Sequence, residues 1–201
     1  MSVDKIFSNP RKYRKWYENH YRIYENEKKV VGSFNLKDCL DIGSGPDIFH
    51  EVIKGYIVSL DLSLLMLKES KSEDKVLADA THLPFRDKAF KCVFSSVTVC
   101  FIEDIRSFIS EIGRVTKGRA VICFIPRDSP WGQYYESLGK KGHEYYSYAH
   151  FISRQELYRI ISEFMNIKNI SSTLIELDEE KIEPVYNADR GSFVCIEAYA
   201  R

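Results

Sequence analysis

The sequence predicts an α/β protein with a mainly parallel sheet covered by helices on both faces. Two observations carry this. Short apolar runs alternate with helical patterns along the chain, as strands joined by helical crossovers require. Acids and glycines also collect just after the first three apolar runs, at Asp41 to Gly45, Asp61 and Asp79. Ligands of open parallel sheets bind at the carboxyl ends of the strands.

The elements follow in order. Asn9-Pro10 starts a helix, because proline's missing donor costs nothing in the first turn. The segment to about Val31 is polar, with Tyr13, Tyr17, Tyr21 and Tyr24 spaced to share one helical face. Cys39 to Ile42 is a strand ending in Gly43-Ser44-Gly45, followed by a short helix. Tyr56 to Leu60 is a second strand, closed by Asp61. Ser63 caps a helix carrying Leu64, Leu65 and Leu67. Val76 to Ala78 is a third strand, closed by Asp79, and Phe90 to Ser95 a fourth.

Ile105, Phe108, Ile109, Ile112 and Val115 recur at helical spacing, with Gly118 expected as the stop. Arg119 to Ile125 is a fifth strand. Ser153-x-x-Glu156 is a capping box opening a helix whose core face is Leu157, Ile160, Ile161 and Phe164. Ser171 to Leu177 and Phe193 to Ala200 close the chain as strands. No repeats or low-complexity stretches interrupt this order.

Composition narrows the function. With 201 residues, 44% hydrophobic and 29% charged, the chain can bury a sizeable core as one domain. Its 29 basic and 29 acidic residues balance, which argues against nucleic acid as the main partner. No apolar run approaches the roughly 20 residues of a bilayer span. Met1 to Lys5 lacks the layout of a signal peptide. The five cysteines (39, 92, 100, 123 and 195) are scattered, with no Cys-x-x-Cys pair and no metal-ligand spacing. Buried reduced thiols in a cytoplasmic protein are the expectation. No metal site is expected.

The strand-end residues select a ligand. A dinucleotide fingerprint would place glycines at 43, 45 and 48, but position 48 is Ile. Asp41 stands two residues before the first glycine, where it repels phosphate and suits an ammonium. Asp61 sits where an acid usually takes both ribose hydroxyls, and Asp79-Ala80 suits an adenine amino group. Ammonium, ribose and adenine without phosphate describe S-adenosylmethionine. Singly, each acid reads equally well as a helix cap; together they favour the ligand.

On these residues the chain resembles the class I S-adenosylmethionine-dependent methyltransferases, in the ubiquinone/menaquinone-methyltransferase-like group (methyltransferase type 11). The matching segments are Leu40 to Gly45, Ser59 to Ser63 with Met66-Leu67, and Asp79-Ala80 before Leu83-Pro84-Phe85. Phe90 to Ser96, Phe101 to Asp104 and Glu111-Ile112-x-Arg114-Val115 continue the match, and Tyr13 to Tyr17 resembles the group's N-terminal aromatic motif. The resemblance implies a Rossmann-like seven-stranded sheet in which the last strand, Phe193 to Ala200, inserts antiparallel, with Ser171 to Leu177 as its edge neighbour. It implies a single methyltransferase domain over 1–201, with residues 10–32 as a helical lid and 127–151 as a substrate-side insertion. It also implies a cofactor site of Tyr13, Tyr17, Asp41, Gly43, Ser44, Gly45, Asp61, Leu62, Ser63, Met66, Asp79, Ala80, Thr81 and Ser96. Two positions depart from the pattern. Asp47 replaces the usual third loop glycine, which either tightens the loop or weakens cofactor affinity. Lys91 stands where relatives carry an acid, at a position expected to face solvent.

The expected partner is a small-molecule methyl acceptor, handled by a monomer or homodimer. Ser95 to Thr98 stands where a base-modifying enzyme would carry Asn-Pro-Pro-Tyr, and this again speaks against nucleic acid. Arg127 to Phe151 is rich in aromatics, among them Trp131, Tyr134, Tyr135, Tyr145, Tyr146 and Tyr148, and is expected to be a loop-like cover over a cavity. His143 and His150 are its candidate general bases, against the commoner structural role of histidine. His50 and His82 lie nearer the cofactor motifs, His82 toward the adenine side. Two alternatives stand beside this reading: a nicotinamide-dependent oxidoreductase on a similar sheet, and a protein that binds S-adenosylmethionine without catalysis.

Overall fold

The structure is a computed structural model that describes residues 6–201, so the reading of Met1 to Lys5 lies outside the described residues. Helices α1 (Pro10–Asn19) and α2 (Tyr21–Ser33) precede β1 (Lys37–Ile42) and β2 (Lys54–Asp61). Then come α3 (Leu64–Glu69), β3 (Asp74–Leu77), β4 (Phe90–Ser96), α4 (Ile105–Val115) and β5 (Thr116–Phe124). Helices α5 (Pro130–Lys140) and α6 (Arg154–Phe164) lead to β6 (Met165–Thr173) and β7 (Phe193–Ala200).

The strands form one seven-stranded sheet in the order β3-β2-β1-β4-β5-β7-β6. Strands β1 to β5 pair in parallel, while β7 runs antiparallel between β5 and β6. The core lies on both faces, with Leu40, Ile42, Val93, Phe94, Val121 and Ile122 essentially buried. Among the described residues no helix is long and apolar enough to cross a membrane.

Local chemistry explains the caps. The Asn9 side chain accepts from Lys12 N at 2.9 Å, with Pro10 in the first turn. The Ser63 and Ser153 hydroxyls accept from Met66 N and Glu156 N in the same way. On α3, Met66 and Leu67 are buried whereas Leu64 and Leu65 are exposed.

Several sequence expectations are corrected. The N-terminal segment is two helices, because His20 leaves helical geometry and its N–H closes onto Trp16 O. Tyr21 therefore leaves the aromatic face and is 59% exposed. The short helix after Gly45 is only a 3-10 turn over His50–Val52. Gly118 lies inside β5 instead of ending α4; a Cβ there would sit 2.4 Å from Lys91 O on β4. Thr116 ends α4 instead, its hydroxyl donating to Ile112 O at 2.6 Å. The edge strand starts at Met165, and Leu174 at φ 59 ends it. The segment expected to be loop-like contains α5, capped by Ser129 with Pro130 next. Lys91 is exposed, as expected.

The cysteine expectation also fails. Cys39 bonds Cys92, and Cys123 bonds Cys195; Cys100 alone is a free, buried thiol. Each bonded pair occupies facing register positions, on β1 and β4 and on β5 and β7. Their Cα atoms are 4.5 and 4.0 Å apart, close enough for sulfurs to meet. The partners lie 53 and 72 residues apart, so only the strand order reveals the pairing. The expected cytoplasmic location loses the support it drew from reduced thiols.

Candidate active site

The strand order reverses around β1, which lies between β2 and β4, and a crevice opens there at the carboxyl ends. Gly43 N and Ser44 N both donate to Leu60 O on β2, at 2.7 and 3.1 Å. Gly43 has φ +71, and a Cβ would meet Thr98 Oγ1 at 2.1 Å, so only glycine fits this turn. Gly45, at φ +54, donates its N–H to Asp61 Oδ2 at 2.8 Å. Asp61 Oδ1 accepts from Ser63 N at the same distance, so one carboxylate joins the turns after β1 and β2. Burial pushes the Asp61 pKa up, and these N–H donors oppose the rise.

The crevice holds a 460 Å³ cavity, within the roughly 300–1,000 Å³ of small-molecule sites. Tyr13 and Tyr17 of α1 form one wall, and Thr98, Phe101 and Ile102 after β4 another. Arg14 of α1 donates to Pro46 O at 2.7 Å and fixes the helix beside the glycine turn. Two hydroxyls that line the cavity, Ser44 Oγ and Ser96 Oγ, are buried without a hydrogen-bond partner.

Asp41 lines the cavity but is only 4% exposed, and it shares a bond with His50 Nε2 at 2.9 Å. His50 Nδ1 faces Asp47 Oδ1 at 3.4 Å, so the imidazole stands between two carboxylates. Burial raises the Asp41 pKa, and the His50 contact restrains that rise. Burial disfavours the imidazolium, yet Asp41 and Asp47 hold the His50 pKa above its ordinary value. Asp47 does not line the cavity. At φ 63 it turns outward to accept from Ser59 Oγ at 3.3 Å and Lys71 N at 2.5 Å. The residue in place of the third loop glycine thus ties the loop to β2 and to the turn after α3.

Residues 40–124 match the family model described as a methyltransferase domain. A solved S-adenosylmethionine-dependent methyltransferase from Thermotoga maritima, described as a possible histamine N-methyltransferase, superposes with a TM-score of 0.85. It is 25% identical and covers 94% of this chain and 95% of its own. Demethylmenaquinone methyltransferase of Streptomyces avermitilis is 42% identical over 51% of this chain and 48% of its own. Malonyl-[acyl-carrier protein] O-methyltransferase of Hamiltonella defensa is 31% identical over 48% of this chain and 40% of its own. Residues 40–124 thus carry a methyltransferase domain, and the whole chain shares its fold with the S-adenosylmethionine-dependent methyltransferase it superposes on. It spans about half the length of the curated relatives it matches.

The cavity suits this methyltransferase family's cofactor: two orphaned hydroxyls, a buried acid and a glycine turn face a space of the right size. All the cofactor residues predicted from sequence line it except Ser63, which caps α3 and donates its hydroxyl to Phe7 O. Asp79 lines it from an exposed position, its carboxylate taken by Thr81 N and Oγ1. Ile48, Phe49, Thr98 and Phe101 also line it and were not assigned from sequence. Phe101 to Asp104 was recognised as a motif, and this was the available signal.

Neither candidate base reaches the cavity. His150 is exposed, and its backbone N–H donates to Cys100 O at 2.6 Å. His143 stacks on Tyr146 at 4.4 Å, and its Nδ1 accepts from Tyr145 N at 3.3 Å. His82 is exposed beside Thr81 and does not line the cavity either.

Proposed function

We propose that the chain transfers a methyl group from S-adenosylmethionine to a small-molecule acceptor. The observation that carries this is the 460 Å³ cavity into which acids from the ends of β1 and β2 and the acid after β3 all project. The bound cofactor supplies an activated methyl sulfonium. The chain's residues bind, orient and exclude water. Asp61 holds the ribose hydroxyls, already oriented by Gly45 N and Ser63 N. Asp41 receives the methionine ammonium, and Ser44 and Ser96 offer their unpaired hydroxyls. Asp79, Ala80 and Thr81 border the adenine, while Tyr13 and Tyr17 close the site.

Relatives named for demethylmenaquinone and malonyl-[acyl-carrier protein], and a structure described as a possible histamine N-methyltransferase, support a small acceptor group without choosing among these chemistries. No lining histidine offers a general base, so the acceptor is expected to bring a reactive nucleophile or meet a carboxylate. Isothermal titration with S-adenosylhomocysteine tests the cofactor assignment. Asp61→Ala removes a charged acceptor and should weaken binding about a hundredfold. Equal affinity in that variant refutes the assignment.

A further inference from the structure

Helix α2 carries a second buried acid, Glu27, that the proposed methyl transfer does not use. Glu27 is 3% exposed, and its Oε2 has no hydrogen-bond partner. The preceding residue fixes its position: Asn26 donates to Lys181 O at 2.7 Å and accepts from Glu183 N at 2.8 Å. A buried carboxyl oxygen without a partner calls for an explanation, and a ligand that completes its hydrogen bonding is one.

The surroundings identify the ligand chemistry. Tyr13, Tyr17, Tyr135 and Tyr146 all lie within electrostatic reach of the Glu27 carboxyl. Tyr13 and Tyr17 pack edge to face at 5.5 Å, and Tyr135 stacks on Tyr146 at 4.4 Å. The first pair also lines the cofactor cavity, and the second belongs to the segment after β5. Glu27 does not itself line the cavity; Tyr13 and Tyr17, which do, link it to the cavity wall. Tyr146 is stacked against both Tyr135 and His143 and offers its hydroxyl rather than a ring face, while the Tyr13 and Tyr17 rings can attract a cation, and a carboxylate near them completes an organic-cation site. A metal would need further hard ligands, and the described residues hold no group of three His, Cys, Asp or Glu for one.

We propose that Glu27 and its four tyrosines bind the cationic nitrogen of an organic amine, which makes the methyl acceptor an amine-bearing small molecule. The proposal rests on the methyltransferase reading and names its substrate class. Burial raises the Glu27 pKa from 4.5 to about 8, so the empty site holds a neutral carboxylic acid at pH 7. An ammonium entering the site pairs with the carboxylate, and the displaced proton passes to the buffer.

Titration calorimetry of the S-adenosylhomocysteine complex tests this, using tyramine, phenethylamine and butylamine beside the neutral alcohol 4-hydroxyphenylethanol. Runs at pH 7 in two buffers of different ionisation enthalpy report the proton. At least one amine should bind with release of close to one proton, and the alcohol should not bind. Glu27→Gln preserves shape and should weaken the amine at least about thirtyfold while S-adenosylhomocysteine binds as before. Equal affinity for amine and alcohol, unchanged amine binding in Glu27→Gln, or no amine binding by a protein that binds S-adenosylhomocysteine overturns the proposal. Failure of S-adenosylhomocysteine itself to bind refutes the methyltransferase reading instead.

Discussion

His50 Nε2 lies 2.9 Å from Asp41 Oδ2, which links an acid of the cavity wall to an imidazole outside the cavity. The contact restrains a carboxyl whose burial would otherwise carry its pKa further upward. Removing the imidazole in His50→Ala releases that restraint, so Asp41 takes up a proton at a pH where the native protein keeps it ionised. Affinity for a ligand ammonium then falls as pH drops, by up to about tenfold per pH unit. Titrations with S-adenosylhomocysteine over a descending pH series should show a deficit in His50→Ala that widens as pH falls. A deficit of equal size throughout the series contradicts this role for His50.

Gly43 and Thr98 are mutually exclusive partners for any larger side chain at position 43. Gly43→Ala adds a left-handed backbone cost of roughly 1–2 kcal/mol to the clash with Thr98 Oγ1 at 2.1 Å. Thermal denaturation should show a loss larger than that backbone cost alone. Adding Thr98→Gly should recover the part due to the clash and leave the backbone part. No recovery in the double variant would place the damage elsewhere.

The two disulfides make a simple chemical prediction. Denatured protein treated with iodoacetamide should take one adduct without reductant, at Cys100, and five after reduction. Loops closed over 53 and 72 residues should each contribute about 4 kcal/mol, so reduction should lower the melting temperature markedly. Five adducts without reductant would show that the pairs do not form.

Glu27 also predicts how stability depends on pH. Its folded pKa of about 8 lies above the unfolded value of 4.5, so the native state binds its proton more tightly. That stabilisation is complete below pH 4.5 and is lost as pH rises to about 8, at about 1.4 kcal/mol per pH unit. Glu27→Gln cannot ionise, and its stability relative to the native protein should rise steadily between pH 5 and pH 8. Parallel denaturation curves for the two proteins across that range would contradict the assigned titration.

The residues legible in the sequence were those whose roles are local. Asn9, Ser63 and Ser153 cap helices because each hydroxyl or amide reaches an N–H three residues on. Asp41, Asp61 and Asp79 could be placed at strand ends because the runs before them are short and apolar. The break at His20 was hidden, since the tyrosines keep helical steps of four, four and three across it. His143 and His150 looked accessible to a cavity only because their segment was read as a loop.

Glu27 shows the same limit in energetic form. Glu25 to Lys29 is an unbroken polar run that reads as a solvated helical face. Aromatic rings from α1 and from the distant segment after β5 strip the water from Glu27, and Asn26 beside it is buried as well.

By itself, then, the sequence determined the alternation of strands and helices, the glycine turn and the acids that follow the strands. Those depend on hydrophobic period, on backbone conformation and on bonds that span a few residues. Tertiary structure alone decided which cysteines pair, that Asp47 points away from the cavity, that His50 supports Asp41, and that Glu27 is buried. Each depends on strand order and on which distant side chains exclude water, and both are set only when the sheet assembles.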